Sequence, residues 1–331
     1  MIEISLREIV EAIGAKPNDA AAADLELLVS GSVETDSRLV GAGSLFFAKP
    51  GEVTDGHLFV SASAKAGAVA SVVEHLVDDA SDHPQLVVQN VVEALGLLAK
   101  HVLAVLSATE NLKVIGITGS NGKTTTKNML REILATAGET IAPIESYNNE
   151  VGAPISMLKA SHDTRFLVVE MGAGGLGSIA YLADIAKPNI GVVLKVGLAH
   201  VGEFGSVEAI AETKSELIAS LHEEGIGILG TYDEFTPKMA ALHKGKNITF
   251  GEGPDCDIRA TDIEVREGRA HFDLVTPEGR SAVGLRIVGL HQVANALAVA
   301  SVATVLGFSL DQIAGGLSTA ESAAKWRMEI H

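Results

Sequence analysis

Residues 112–138, LKVIGITGSNGKTTTKNMLREILATAG, constrain the fold more than any other stretch of the chain. The apolar run LKVIGITG reads as a buried strand. TTKNMLREILATAG has helical periodicity and stops at Gly138. A strand that feeds a helix through a tight glycine turn is half of a β-α-β unit, which calls for a mostly parallel sheet covered by helices. The turn itself, TGSNGKTT from Thr118 to Thr125, is an anion cradle. Its backbone N–H groups converge, and the helix dipole adds positive character. Lys123 reaches outer phosphates, Thr124 offers a hydroxyl to Mg²⁺, and Gly119 and Gly122 allow close backbone approach. The strict G-x-x-x-x-G-K-[ST] spacing does not fit, because Ile117 stands where the first glycine belongs and Gly116 lies one position too early. A plain glycine turn with a surface lysine is the competing reading. Strand, turn, Lys-Thr pair and helix together favour a hydrolysable nucleotide, though not any one reaction, since kinases, hydrolases and ligases share such loops.

The pattern extends on both sides. Downstream, strands are expected at FLVVEMG (166–172), IGVVLKVG (190–197) and GIGILG (225–230), with helices such as VEAIAETKSELIASL between them. From 247 to 288 the texture changes to short antiparallel strands with turns at REG and PEG, before HQVANALAVASVATVLG returns to helix. Upstream, MIEISLREIVEAIG gives a short strand and an amphipathic helix; SLFFAKPG, AVASVVE and PQLVVQN are strand-like, and 91–109 is a helix leading to a join. The expected organisation is therefore α/β throughout. A small α/β domain occupies 1–110, a phosphate-loop domain with a mostly parallel sheet plus a short antiparallel sheet occupies 111–322, and a linker begins at 323–331.

Composition narrows the partners. The chain is 47% hydrophobic but only 4% aromatic, so its cores must be aliphatic. Net charge is −17 with no Lys/Arg cluster, which argues against nucleic acid and requires anionic ligands to be held by local dipoles, metals and a few placed cations. Cys256 is the only cysteine, so no intramolecular disulfide can form; its acidic flanks suit a structural thiol and not a nucleophile. No uncharged apolar run reaches the roughly 18 residues of a membrane span, and the N-terminus is charged and amphipathic. A cytoplasmic monomer is the expectation.

Four further segments join TGSNGKTT in one resemblance: ETDSRLVGAGSLFFAKPGEVTDGHLF (34–59), SYNNEVGAP (146–154), VVEMGAGGLGSIAYLADIAKPNIGVVLKVGLAHVGEFGS (168–206) and GLHQVANALAVASVATVLG (289–307). In this order they resemble the Mur ligases, whose ATP loop is also similar to that of folylpolyglutamate synthases. The resemblance covers nearly the whole chain, and the 168–206 segment is its most specific part. It is closest to the branch that adds D-Ala-D-Ala to UDP-N-acetylmuramoyl-tripeptide, rather than to the branch that adds diaminopimelate or lysine, which usually carries a serine- and histidine-rich segment and an aspartate-histidine pair there.

The resemblance implies ATP and two Mg²⁺ sites, an acyl phosphate formed on the acceptor carboxylate, and an amine that attacks it. It assigns Thr118, Gly119, Ser120, Asn121, Gly122, Lys123, Thr124 and Thr125 to ATP. Glu170, at the end of a strand, would bind Mg²⁺ near the γ-phosphate with Thr124, and His200 would serve the second Mg²⁺. Lys214 shares a helical face with Ile210 and Leu217 and so points inward. A buried lysine must be paired or neutral. The resemblance implies a carbamylated Lys214 that ligates metal; pairing with Glu170 or Glu216 is the alternative. Asn295 would meet adenine with His291 beside it, unless His291 is a cap or core histidine, and Arg327 would contact phosphate. Thr35, Asp36, Ser37, Arg38, Asp55, Gly56 and His57 would hold the uridine diphosphate, and Asn148 and Asn149 the muramoyl-peptide or γ-phosphate end. Singly, each of the first-domain residues also reads as an ordinary turn residue. Two positions depart from the family pattern: Trp326 precedes Arg327 where glycine is common, and Lys195 replaces a common asparagine.

Mur ligases carry a third, dinucleotide-fold domain after the region matched here, which implies that this chain is an N-terminal and central fragment. Two other classes remain open: a ligase with a different amine substrate, and a non-catalytic nucleotide-sugar-binding module. The fragment is expected to bind UDP-sugar but to ligate poorly or not at all. ADP release coupled to amide formation with D-Ala-D-Ala by these 331 residues would contradict that expectation.

Overall fold

The computed structural model describes residues 1–51, 54–109, 111–143, 145–197 and 201–320. They form two compact units: the described residues of Met1–Glu110 together with Glu150–Asp163, and Asn111–Asn149 together with the described residues from Thr164 onward.

The first unit begins with β1 (Ile4–Ser5), α1 (Leu6–Ile13), β2 (Lys16–Pro17), α2 (Asp19–Ala23) and β3 (Leu28–Val29). Ser5 and Glu8 form a reciprocal cap that starts α1, and Leu6, Ile9 and Ile13 make its buried stripe. Then follow β4 (Val33–Glu34), β5 (Leu45–Phe47), α3 (Val60–Ala66), β6 (Ala70–Val73), β7 (Gln85–Val87) and α4 (Val91–Ser107). Among the described residues a five-stranded sheet runs β2-β7-β6-β5-β4, parallel from β4 to β7, with β2 antiparallel at one edge. Every residue of β5 and β6 is buried, as covered parallel strands require.

The second unit contains β8 (Lys113–Thr118), α5 (Lys123–Leu134) and β9 (Glu139–Ile141). The next helix, α6 (Gly152–Met157), packs against α4 in the first unit, so chain order does not follow unit boundaries here. The second unit resumes with β10 (Thr164–Glu170), α7 (Ser178–Ala186), β11 (Ile190–Val193), α8 (Val201–Phe204), α9 (Val207–Ala219), β12 (Ile226–Gly230) and β13 (Lys246–Gly251). It ends with β14 (Ile258–Arg266), β15 (Arg269–Thr276), β16 (Gly279–Val288), α10 (Gln292–Val305) and α11 (Leu310–Thr319).

Among the described residues these strands form one nine-stranded sheet in the order β16-β15-β14-β13-β12-β11-β8-β10-β9. It is parallel from β9 to β14, and β15 and β16 continue it as antiparallel hairpins. The first hairpin turns at Glu267 and Gly268, both with positive φ (51° and 76°), as a tight two-residue turn needs. The sequence texture places 247–251 with the antiparallel strands, but β13 pairs parallel to β12. Its short apolar run cannot reveal its neighbour, because pairing is non-local.

Two features position the site. Register sets Ile117 beside Glu170 and Thr118 beside Val193, so the loops after β8, β10 and β11 leave one sheet edge together. This is the carboxyl edge where open α/β sheets take ligands. Helix α10 is buried almost all round, with Ala296, Ala298, Ala300 and Ala303 letting it lie close to α5 and the sheet. No helix among the described residues is long and apolar enough to cross a membrane.

Candidate active site

The phosphate loop links β8 to α5. Gly122 is the N-cap of α5 at φ 92°, a left-handed conformation that favours glycine, and a Cβ there would overlap Asn295 Oδ1. Among the described residues no side chain caps α5, and its first turn carries no acidic residue. The helix start is therefore open to an anion, with the dipole aimed at it. Ser120 braces the loop: its N–H donates to Lys195 O (3.0 Å), and its hydroxyl bridges the Gly197 backbone. Lys123 Nζ folds back to donate to Gly119 O at 2.8 Å. Asn121 is exposed and Thr125 half-buried, while Thr118 is buried with its hydroxyl unpartnered among the described residues.

Beneath the loop lies a buried carboxylate. Glu170, the last residue of β10, is 3% exposed. Its Oε1 accepts from Asn148 Nδ2 at 3.0 Å, and its Oε2 accepts from the Thr124 hydroxyl at 3.1 Å. Because Thr124 donates to Glu170, the 2.9 Å contact between its Oγ1 and Ser146 makes Ser146 the donor there. The sequence reading missed Lys127, whose Nζ lies 3.3 Å from Glu170 Oε2 and donates to Glu145 O at 2.6 Å. Burial pushes the Lys127 amine down and Glu170 partly offsets this. A signal existed: Lys127 follows Thr124 by three residues, on the same face of α5. Asn148 also closes the loop after β10 through its carbonyl, which accepts from Gly172 N at 2.8 Å, while Asn149 beside it is exposed.

Lys214 sits on the inward face of α9, 3% exposed, beside buried Ile210 and Leu217. Among the described residues it has no hydrogen bond or ion pair. Neither carboxylate considered from sequence is its partner. Glu170 is engaged as above, and Glu216 accepts from Gly177 N (2.6 Å) and Ala180 N (2.8 Å) at the start of α7. Burial, and then repulsion from Lys123, lowers the Lys214 pKa to about 8. At neutral pH the amine is still mostly protonated, but its neutral, nucleophilic fraction is far larger than that of an ordinary lysine.

A cavity of about 340 Å³ opens beside the loop, lined by Gly122, Leu194, Tyr232, Glu252, His291 and Asn295 among others. Its volume and its mix of apolar wall and few polar tips suit a nucleobase-sized group. Asn295 is anchored by donating to Gln292 Oε1 at 2.8 Å, and His291 precedes α10 without capping it. Tyr232 and Glu252 also escaped the sequence reading. They follow β12 and β13, and only the strand order brings them here. His200 and Arg327 lie outside the described residues.

In the first unit, Thr35, Asp36, Ser37 and Arg38 form the turn after β4. Arg38 is exposed and its guanidinium grips Asp36, holding that carboxyl down at about 2. The Asp55–His57 cluster has internal work. Asp55 accepts from His57 N (3.0 Å) and Nδ1 (2.7 Å), and buried His57 accepts from Glu74 N through Nε2 (2.8 Å) while stacking on His75. Both ring nitrogens are thus used, with the proton on Nδ1. A Cβ at Gly56 would come within 2.6 Å of Lys49 O, so the turn needs glycine.

Comparison with known proteins agrees with this geometry. A model described as the Mur ligase middle domain matches residues 117–303, and one described as the Mur ligase family, catalytic domain, matches 31–103. The chain belongs to the Mur ligase family. Among relatives of this Mur ligase, the UDP-N-acetylmuramoyl-tripeptide–D-alanyl-D-alanine ligase of Mycobacterium tuberculosis is 38% identical over 360 residues, covering all of this chain and 68% of the relative. A crystal structure of MurF from Acinetobacter baumannii superposes with a TM-score of 0.88 at 33% identity, over 96% of this chain and 68% of that one. A MurF from Thermotoga maritima in complex with ADP gives 0.75 at 29% identity, over 88% and 66%.

The lowered pKa of Lys214 gives this Mur ligase a testable pH signature. A folded-state value of about 8, below the ordinary 10.5, penalises folding fully below pH 8, and the penalty fades as pH rises from 8 to 10.5. In CO₂-free buffer, Lys214→Met is expected to raise the melting temperature at pH 7 by at least about 2 °C, with the gain shrinking towards pH 10.5. An equal gain at both pH values in thermal melts would contradict this.

Proposed function

We propose that this chain takes part in ATP-dependent ligation of D-Ala-D-Ala to UDP-N-acetylmuramoyl-tripeptide, a step of peptidoglycan precursor synthesis. The ATP half rests chiefly on one observation: Thr124 Oγ1 lies 3.1 Å from the buried Glu170 carboxylate at the open start of α5. The choice of substrates rests on 38% identity across the whole chain to a ligase named for that reaction. The tripeptide carboxylate attacks the γ-phosphorus and ADP leaves, giving an acyl phosphate. The dipeptide amine then attacks the acyl carbon, loses a proton, and expels phosphate as the amide forms.

The residues fit a Mg²⁺ ion. Thr124 and Glu170 supply hard oxygen donors at the open start of α5. Bound there with the nucleotide phosphates, Mg²⁺ would neutralise charge developing in transfer. Lys214, with His200, would serve a second ion. The neutral amine can add CO₂ and release a proton, which turns Lys214 into an oxygen donor without a new residue. Lys123 and the N–H groups of the loop hold the outer phosphates, and Gly119, Ser120, Asn121 and Thr125 shape that cradle. Asn295 and His291 are assigned to the base in the cavity beside Gly122; that the Thermotoga maritima relative was solved in complex with ADP supports an adenine nucleotide as the ligand. Asn148 presents its amide between Glu170 and the acceptor side, with Asn149 next to it, and Arg327 is assigned to phosphate.

The first unit is assigned the uridine diphosphate. Exposed Arg38, oriented by Asp36, is its most available cation, with Thr35 and Ser37 beside it. Asp55, Gly56 and His57 act there by shaping the loop. The second unit is assigned ATP.

In titration calorimetry, Lys123→Ala is expected to weaken binding of a non-hydrolysable Mg·ATP analogue by roughly 10- to 100-fold, the scale of one charge-assisted contact. UDP-N-acetylmuramoyl-tripeptide binding should be unchanged, and tighter than that of the dipeptide form. Loss of both ligands together, or preference for the dipeptide form, would contradict the proposal.

A further inference from the structure

We propose that Lys127 is the fixed counter-ion of Glu170 and competes with a divalent cation for that carboxylate, so that the cation is held firmly only together with nucleotide phosphates. The inference rests on the reading of Glu170 as a metal carboxylate.

The Lys127 and Glu170 side chains are each 2% exposed, and Nζ stands 3.3 Å from Oε2. Burial of either ion alone is costly, so each requires the other. The ammonium is also tied down from a second direction, donating to Glu145 O at 2.6 Å. Helix α5 fixes the stem, and Asn148 holds the other carboxylate oxygen at 3.0 Å. The positive charge therefore cannot swing away when a metal ion reaches Glu170 and Thr124. Two cations would then share one carboxylate in a site of low dielectric, where their repulsion is strong. The β- and γ-phosphates bring the negative charge that relieves it. In an acidic protein, which attracts divalent cations generally, such a device makes occupation of this site conditional on nucleotide.

The test measures Mn²⁺ binding to the intact chain by the loss of its free-ion electron paramagnetic resonance signal. Lys127→Gln keeps a donor for Glu145 O without the charge, and Lys127→Arg keeps the charge. Without nucleotide, Lys127→Gln is expected to bind Mn²⁺ at least about tenfold more tightly than the parent, with Lys127→Arg close to the parent. With a non-hydrolysable ATP analogue present, the gap should narrow. Binding by Lys127→Gln no tighter than the parent, or a gap unaltered by the analogue, overturns the proposal. If Lys127→Gln and Lys127→Met both fail to fold alone, recovery of near-parental circular dichroism on adding Mn²⁺ supports it and no recovery overturns it. Glu170→Gln separates the two layers. If it binds Mn²⁺ like the parent with analogue present, the metal reading of Glu170 fails. If it loses Mn²⁺ while Lys127→Gln gains nothing, only the counter-ion role fails.

Discussion

A carboxylate buried at the end of a central strand is the constraint on which the site depends. Glu170 is 3% exposed, and each of its oxygens must find a partner inside the fold. Those partners come from two other segments: Thr124 and Lys127 from α5, and Asn148 from the loop that follows β9. Satisfying Glu170 therefore fixes the start of α5 and the 145–149 segment relative to β10. The phosphate loop inherits its place from the same arrangement, since Gly122 ends against Asn295 and Ser120 is braced by the segment after β11. The parallel register of β8, β10 and β11 is what allows one carboxylate to organise several loops.

Charge follows a consistent logic. A chain of net charge −17 repels anions at long range, so phosphate affinity has to be local. The structure concentrates its means in a few ångströms: the open start of α5, Lys123 over Gly119, and two further lysines withdrawn from water. These two differ in kind. Lys127 is paired and tethered, so its charge is compensated within the fold. Lys214 has no such partner among the described residues, and burial beside Lys123 brings its amine towards neutrality. One buried lysine thus keeps its charge compensated in place, and the other is left with a weakened hold on its proton.

Much of this was legible in the sequence where the signal was contiguous. The strand, glycine turn and helix of 112–138 read directly, as did the inward face of α9 that carries Lys214 and the strand end that carries Glu170. What escaped reading depends on partners distant along the chain. Lys127 looks like any helical lysine until β10 supplies its counter-ion. Tyr232 and Glu252 reach the cavity only through strand order. The parallel pairing of β13 and the membership of Glu150–Asp163 in the first unit are likewise non-local. His57 shows the converse: a residue in a recognisable DGH pattern whose two ring nitrogens are both spent inside the fold, one on Asp55 of its own loop and one on the Glu74 backbone after β6.

The central claim is that Glu170 and the start of α5 together hold the phosphate end of ATP. It is tested most directly by crystals of the chain grown with Mg²⁺ and a non-hydrolysable ATP analogue. The account predicts the γ-phosphate against the backbone N–H groups of 119–124, a metal ion joining it to Thr124 and Glu170, and the adenine in the cavity beside Asn295. Phosphate density away from the start of α5, or a metal ion on carboxylates other than Glu170, would contradict it.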